Sequence, residues 1–253
     1  MIRPGLSETV QRAAGLLRER ILAAAEYPIA LGSEDDVART LRLSKPTLRQ
    51  VARLLEAEQI LTVRRGVNGG FYGLKPTADG VAQMASVYLR AADTTYLQLF
   101  RGMVPVLSEL SRLAAENDDE NARACVLAYV DAHASAPSDR ESLRRFGQSR
   151  LDLGRVIADV AGNPPLQLFL DVLTQLGNVP GGLSIYVGPD DIARTIRYER
   201  ALARAIRDGK PEVAARTVYR QAAHTMQWFE RNDASGQMIE PSGPPSRSSL
   251  SRN

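Results

Sequence analysis

Lys45, Thr47, Arg49, Gln50 and Arg53 fall within nine residues and carry the donor types that read nucleic acid. Lysine and arginine donate to guanine O6 and N7, and glutamine pairs with adenine, when a helix lies in the major groove. These five share the polar side of one helical wheel. Leu48, Val51, Ala52 and Leu55, at i, i+3, i+4 and i+7, make the apolar stripe on the other side. The residues nearest a recognition helix's N-terminus come closest to base edges. Lys45, Thr47 and Arg49 are therefore the expected readers, with Gln50 as a fourth. Arg39, Arg42 and Arg53 are expected on phosphates, which set register and carry no sequence information. Arg64 and Arg65 stand at the base of a hairpin and could reach the backbone or the minor groove. The other reading of Arg49, Gln50 and Arg53 is a solvated helix face.

The elements that position these residues are legible nearby. A first helix runs from Ser7 or Thr9 to about Ala25, with Val10, Ala14, Leu17, Ile21 and Leu22 on one face. Tyr27-Pro28 closes it, and Ile29 to Gly32 reads as a short extended link. Ser33 caps a second helix whose first turn holds Glu34, Asp35 and Asp36, where the helix dipole favours acid. Ser44 caps the third, with Pro46 in the first turn, where a missing N–H costs nothing. Two short strands follow, Ile60–Arg65 and Gly70–Leu74, around Gly66-Val67-Asn68-Gly69.

Beyond Lys75-Pro76-Thr77, read as a hinge, only helical patterns recur. They cover about 77–92, 94–117, 119–133, 138–161, 164–177, 190–208 and 210–231. From Asn232 the chain is rich in Ser, Pro and Gly without apolar periodicity, the mark of a disordered tail. The predicted fold is mainly α: a winged helix-turn-helix over 1–75 with a small β-hairpin wing, then an all-α bundle over 76–231 and a tail over 232–253.

Charge follows the same division. Of 32 basic and 29 acidic residues, residues 1–76 hold 12 and 8, so the positive excess lies where phosphate would be met. The single cysteine, Cys125, excludes an intramolecular disulfide, and its run Ala124-Cys125-Val126-Leu127 predicts a buried, inert thiol. No stretch reaches the roughly 18 uninterrupted apolar residues of a membrane span. The N-terminus lacks an apolar signal core, so a cytoplasmic protein is expected. There is no glycine-rich phosphate loop, Gly-x-Ser-x-Gly elbow or His-Glu-x-x-His helix. With two histidines and one cysteine, the chain reads as a non-enzyme without cofactor.

The first 75 residues resemble the GntR family of bacterial regulators. The resemblance rests on Gly32-Ser33-Glu34-Asp35-Asp36-Val37-Ala38, Leu43-Ser44-Lys45-Pro46-Thr47-Leu48-Arg49, Leu54-Leu55-Glu56-Ala57-Glu58 and Val63-Arg64-Arg65-Gly66. Where the family usually has an arginine that helps hold DNA, this chain has Asp35. The usual Ser-Arg-Thr-Pro opening of the recognition helix is here Ser44-Lys45-Pro46-Thr47. Residues 77–228 resemble the FadR-type C-terminal domain, most specifically in Ile157–Pro164 and Ala205–Gly209. That resemblance implies a homodimer on an inverted-repeat double-stranded DNA operator, modulated by a small, acidic or acyl effector, with repression as the expected outcome. The rival reading is a helical ligand-binding adaptor whose winged helix contacts protein.

Many such domains hold a divalent metal through one Asp and three His. The matching positions here are Arg150, Gly154, Glu199 and Gln221, and only His133 and His224 exist in the chain. A three-histidine site is impossible, and no metal is expected. The residues expected around an effector are Arg101, Arg150, Glu199, Gln221 and His224. Arg150 either offers a bidentate pair to an acidic ligand or forms a structural ion pair with Glu199. His224 either lines the pocket or sits at the surface.

Overall fold

The structure is a computed structural model that describes residues 7–66, 69–177 and 189–231, together with Gly236 and Ile239. The chain divides into two compact units, residues 1–80 and 81–253.

In the first unit, α1 (Glu8–Leu22) is capped by Ser7, whose hydroxyl accepts the Val10 N–H, and buries Val10, Ala13, Ala14, Leu17 and Ile21. It stops at Leu22, three residues short of the expected end. α2 (Glu34–Leu41) opens on a capping box in which Ser33 and Asp36 each satisfy the other's backbone N–H. It closes at Arg42, which takes left-handed angles (φ 54°, ψ 46°) to make the tight turn. α3 (Lys45–Ala57) starts under the Ser44 cap with proline in its first turn and buries Leu48, Val51, Ala52 and Leu55. The Arg18 guanidinium donates to both Glu58 oxygens, at 3.0 and 2.9 Å, tying α1 to the end of α3.

The strands are β1 (Ile29–Gly32), β2 (Leu61–Arg64) and β3 (Gly70–Gly73), forming an antiparallel sheet in the order β1-β3-β2. The extended link expected at Ile29–Gly32 is thus a full third strand. A lone hairpin is marginal in water, and β1 occupies the open edge of β3 while burying Leu31. The wing tip at Val67 and Asn68 lies outside the described residues.

The second unit is helical throughout its main described segments: α4 (Asp79–Ala91), α5 (Tyr96–Glu116), α6 (Glu120–His133), α7 (Arg140–Ala161), α8 (Pro164–Gly177), α9 (Pro189–Arg207) and α10 (Pro211–Arg231). α5 is the central helix, packed on α7, α8, α9 and α10. Its Val104, Leu110 and Ala114 join Ile157, Leu170, Leu202, Ile206 and Val218 in one aliphatic core. α7 ends at Gly162 and the α9–α10 turn passes through Gly209, both left-handed (φ 61° and 63°), where glycine carries no Cβ penalty. Among the described residues, no helix is long and apolar enough to cross a membrane.

One expectation is corrected here. Cys125 is exposed: α6 turns Val126 and Val130 inward, and a four-residue apolar run cannot be buried entire on one helix. Within the segment expected to be a tail, Ile239 is buried, and its N–H donates to the Thr94 carbonyl at 3.2 Å. The rest of that segment lies outside the described residues, apart from Gly236.

Gly73 is a tight point within the core of the first unit, because a Cβ there would lie 2.7 Å from both Ile21 Cγ1 and Ile29 Cγ2. Gly73→Ala should destabilise this unit by about 1–3 kcal/mol, measured by urea denaturation, because neither isoleucine can yield without disturbing α1 or β1.

Candidate nucleic-acid interface and effector site

With its aliphatic stripe buried, α3 turns its polar side outward: Lys45, Arg49, Gln50 and Arg53 are exposed and Thr47 is half-buried. Two of the three expected readers are held by acids from the first turn of α2. Lys45 Nζ lies 2.6 Å from Asp35 Oδ1. Arg49 donates from Nε to Glu34 Oε1 at 2.7 Å and from Nη2 to Oε2 at 3.3 Å. The hydrogen bond from Arg49 holds the Glu34 carboxyl below its ordinary range, and the Asp35 contact raises the Lys45 ammonium. Thr47 shares a 2.8 Å hydroxyl hydrogen bond with the Ser44 cap.

The flanking cations divide into two sets. Arg39 pairs with Asp36 at 3.2 Å, and the Arg64 guanidinium lies 4.5 Å from the centre of the Tyr72 ring. Gln50, Arg53 and Arg65 are exposed and have no side-chain partner among the described residues, and Arg42 is likewise exposed at its left-handed turn. In the sequence, Glu34 and Asp35 signal only the start of a helix. Their position opposite α3 depends on the angle of the turn between the two helices, which residue types alone do not fix.

In the helical unit, the Arg150–Glu199 ion pair is present: Arg150 Nε stands 2.8 Å from Glu199 Oε1, and each side chain is only 5% exposed. The pairing is incomplete. All three guanidinium nitrogens and Glu199 Oε2 are buried without a well-aligned hydrogen bond. The guanidinium lies over the Phe146 ring at 4.3 Å, one helical turn back on α7. Sequence reasoning did not find this cation–π contact, although the i, i+4 spacing allows it. Burial pushes the Glu199 carboxyl up to about 7 against the pull of Arg150. Burial likewise raises the nearby Tyr129 phenol, which donates to the Ser149 carbonyl at 3.2 Å.

The other expected effector residues are dispersed around this pair. Gly154 faces α8, where a Cβ would touch Leu170 at 3.4 Å. Gln221 is half-buried on α10, and Arg101 is exposed on α5. His224 belongs to a separate network: Nε2 lies 3.1 Å from Asp191 Oδ1, and Arg194 Nη1 lies 2.7 Å from Nδ1 and 3.0 Å from Nε2. No group of three or more His, Cys, Asp or Glu is placed to hold a metal among the described residues.

Residues 105–223 match the family model described as the FCD domain. Over its length the chain is similar in structure to the Streptococcus agalactiae GntR, with a TM-score of 0.66 at 18% identity, covering 87% of this chain and 99% of that one. It is also similar to E. coli McbR/YncC, with a TM-score of 0.42 at 13% identity, covering 90% and 100%. No curated protein matches the chain.

Arg150→Met alone should cost about 3–5 kcal/mol, because it strands a buried carboxylate. The double variant Arg150→Met/Glu199→Leu should recover most of that loss or exceed wild-type stability. Thermal melting at two pH values separates the causes. Burial raises Glu199 from 4.5 to about 7, so between those values the folded chain keeps a proton that the unfolded chain has released. Stability is therefore lost as pH rises through that window. The single variant should run parallel to wild type through that window and fall further behind above about pH 7, where only the wild-type carboxyl has lost its proton beside Arg150; the double variant should lack this dependence.

Proposed function

From the match of residues 105–223 to the FCD domain model and the likeness of the fold to a GntR structure, we propose that the protein is a ligand-responsive DNA-binding transcriptional regulator. The observation that carries the reading is the division of α3. Four aliphatic side chains anchor it in the first unit's core, and its cationic side is left outward with Lys45 and Arg49 at the N-terminal end. In the proposed mode, Lys45, Thr47, Arg49 and Gln50 read base edges, while Arg39, Arg42, Arg53, Arg64 and Arg65 meet phosphate or the minor groove. A homodimer would set two such helices in successive major grooves of an inverted repeat.

The effector is proposed as a small acidic metabolite whose anion takes the guanidinium donors of Arg150 that Glu199 leaves unused. Support comes from the burial of those donors without acceptors. Glu199, Gln221 and His224 would border that ligand, with Arg101 at its approach. Effector and operator would be coupled through a shift between two arrangements of the dimer, worth about 1–3 kcal/mol in such systems. Repression is the working direction. No catalytic step is assigned, and a cytoplasmic location follows from the partner proposed.

The ion pairs of Lys45 with Asp35 and of Arg49 with Glu34 favour one second reading, an adaptor whose winged helix meets protein. Salt dependence separates the two. A regulator neutralising about six phosphates should lose roughly 10³-fold in affinity between about 50 and 200 mM salt, whereas an adaptor should bind no duplex.

Two variants sharpen the test on an operator selected from host genomic fragments. Lys45→Glu/Arg49→Glu should weaken capture by about 100-fold or more in fluorescence anisotropy; unchanged capture would overturn the assignment of α3. Asp35→Asn should tighten it roughly three- to ten-fold at low salt, by freeing Lys45 and removing an anion that faces phosphate.

A further inference from the structure

A cleft of about 620 Å³ opens in the helical unit where the α6–α7 connection meets α9. Its apolar lining is Leu143 from α7 together with Ile192 and Ile196 from α9, and these three pack around Phe146 in a small cluster apart from the main core. Three guanidinium groups also line it: Arg140 at the start of α7, and Arg197 and Arg200 on α9. Along α9 the isoleucines stand one turn apart, and so do the arginines, so a single helix supplies both an apolar floor and a cationic wall.

The charges at the cleft are unevenly compensated. Arg200 donates to Asp131 at 3.2 Å. The one acid in the lining among the described residues, Asp139, caps α7 by accepting the Ser142 N–H at 2.7 Å, and its hydrogen bonds to Ser142 hold its carboxyl below the ordinary range. Arg140 and Arg197 are exposed and have no partner among the described residues. Three arginines against one aspartate leave the lining positive. A phosphate monoester carries about −1.5 to −2 at pH 7 and offers the oxygen geometry that guanidinium forks match. The volume lies in the range of small-molecule sites, roughly 300–1,000 Å³. Among the described residues no aromatic ring lines the cleft, so the floor suits an aliphatic body and not a stacked base.

We propose that this cleft binds an organic phosphate monoester with an aliphatic body, its phosphate between Arg140 and Arg197 and its chain on Leu143, Ile192 and Ile196. Neither Arg150 nor Glu199 lines the cleft, although Phe146, behind its floor, carries the Arg150 guanidinium on its ring. The site also does not depend on the DNA-binding reading, since it lies wholly within the helical unit.

Calorimetry on the full chain without DNA tests it, using n-octyl phosphate, octanoate, octan-1-ol and inorganic phosphate as probes. Octyl phosphate should bind saturably at one site per chain and at least about ten-fold more tightly than octanoate, with octanol and inorganic phosphate far weaker. Arg140→Ala/Arg197→Ala should weaken octyl phosphate by roughly 100-fold while leaving the melting temperature unchanged, because both side chains are exposed. Arg150→Met/Glu199→Leu should bind it like wild type. The proposal falls if octanoate binds as tightly as octyl phosphate, if the Arg140/Arg197 variant binds unchanged, or if only the Arg150/Glu199 variant loses binding.

Discussion

The azimuth of α3 is the constraint on which the first unit turns. Leu48, Val51 and Leu55 are fully buried and Ala52 nearly so, and these four side chains allow one rotation of the helix about its axis. A slip of one residue would drive the aliphatic stripe through about 100° and carry charged groups into the core, at a cost no surface contact could offset. The outward direction of Lys45, Thr47, Arg49, Gln50 and Arg53 is therefore set by what lies beneath them. Ser44 fixes where the helix begins and the left-handed Arg42 fixes how α2 hands over to it, so the cationic side is placed in both rotation and position.

The helical unit handles charge differently. Its core is aliphatic, yet Arg150 and Glu199 lie buried together within the unit. Two opposite charges buried together lose much of their hydration, and attraction restores it only when the remaining donors and acceptors are also satisfied. Here they are not, and Phe146 supplies a ring face where a hydrogen-bond acceptor would otherwise stand. The pair is better understood as a chemically particular interior than as a source of stability.

Much of this is legible in the sequence because local signals agree with tertiary demands. Ser33 and Ser44 mark the starts of α2 and α3, and Gly162 and Gly209 mark helix ends in the bundle. The strand at Ile29–Gly32 escapes such reading because a four-residue edge strand is defined by its partner, and Tyr72 and Gly73 lie far along the chain. The exposure of Cys125 escapes it too, since a run of apolar letters says nothing about which of them a helix turns inward. The pairing of Lys45 and Arg49 with Asp35 and Glu34 requires the interhelical angle. The Arg150–Glu199 contact is one of two alternatives open at the sequence level, reached through matched family positions and not through any local pattern.

The exposure of Cys125 has a practical side. It is the only thiol in the chain, so a maleimide dye or nitroxide would attach at one defined point on α6 without any engineering. Partial burial and the nearby carboxylates of Asp159 and Asp119 hold the thiol above its ordinary pKa, so alkylation should proceed faster in mildly alkaline buffer. A spectroscopic ruler is thus built into the native chain, one mark per copy.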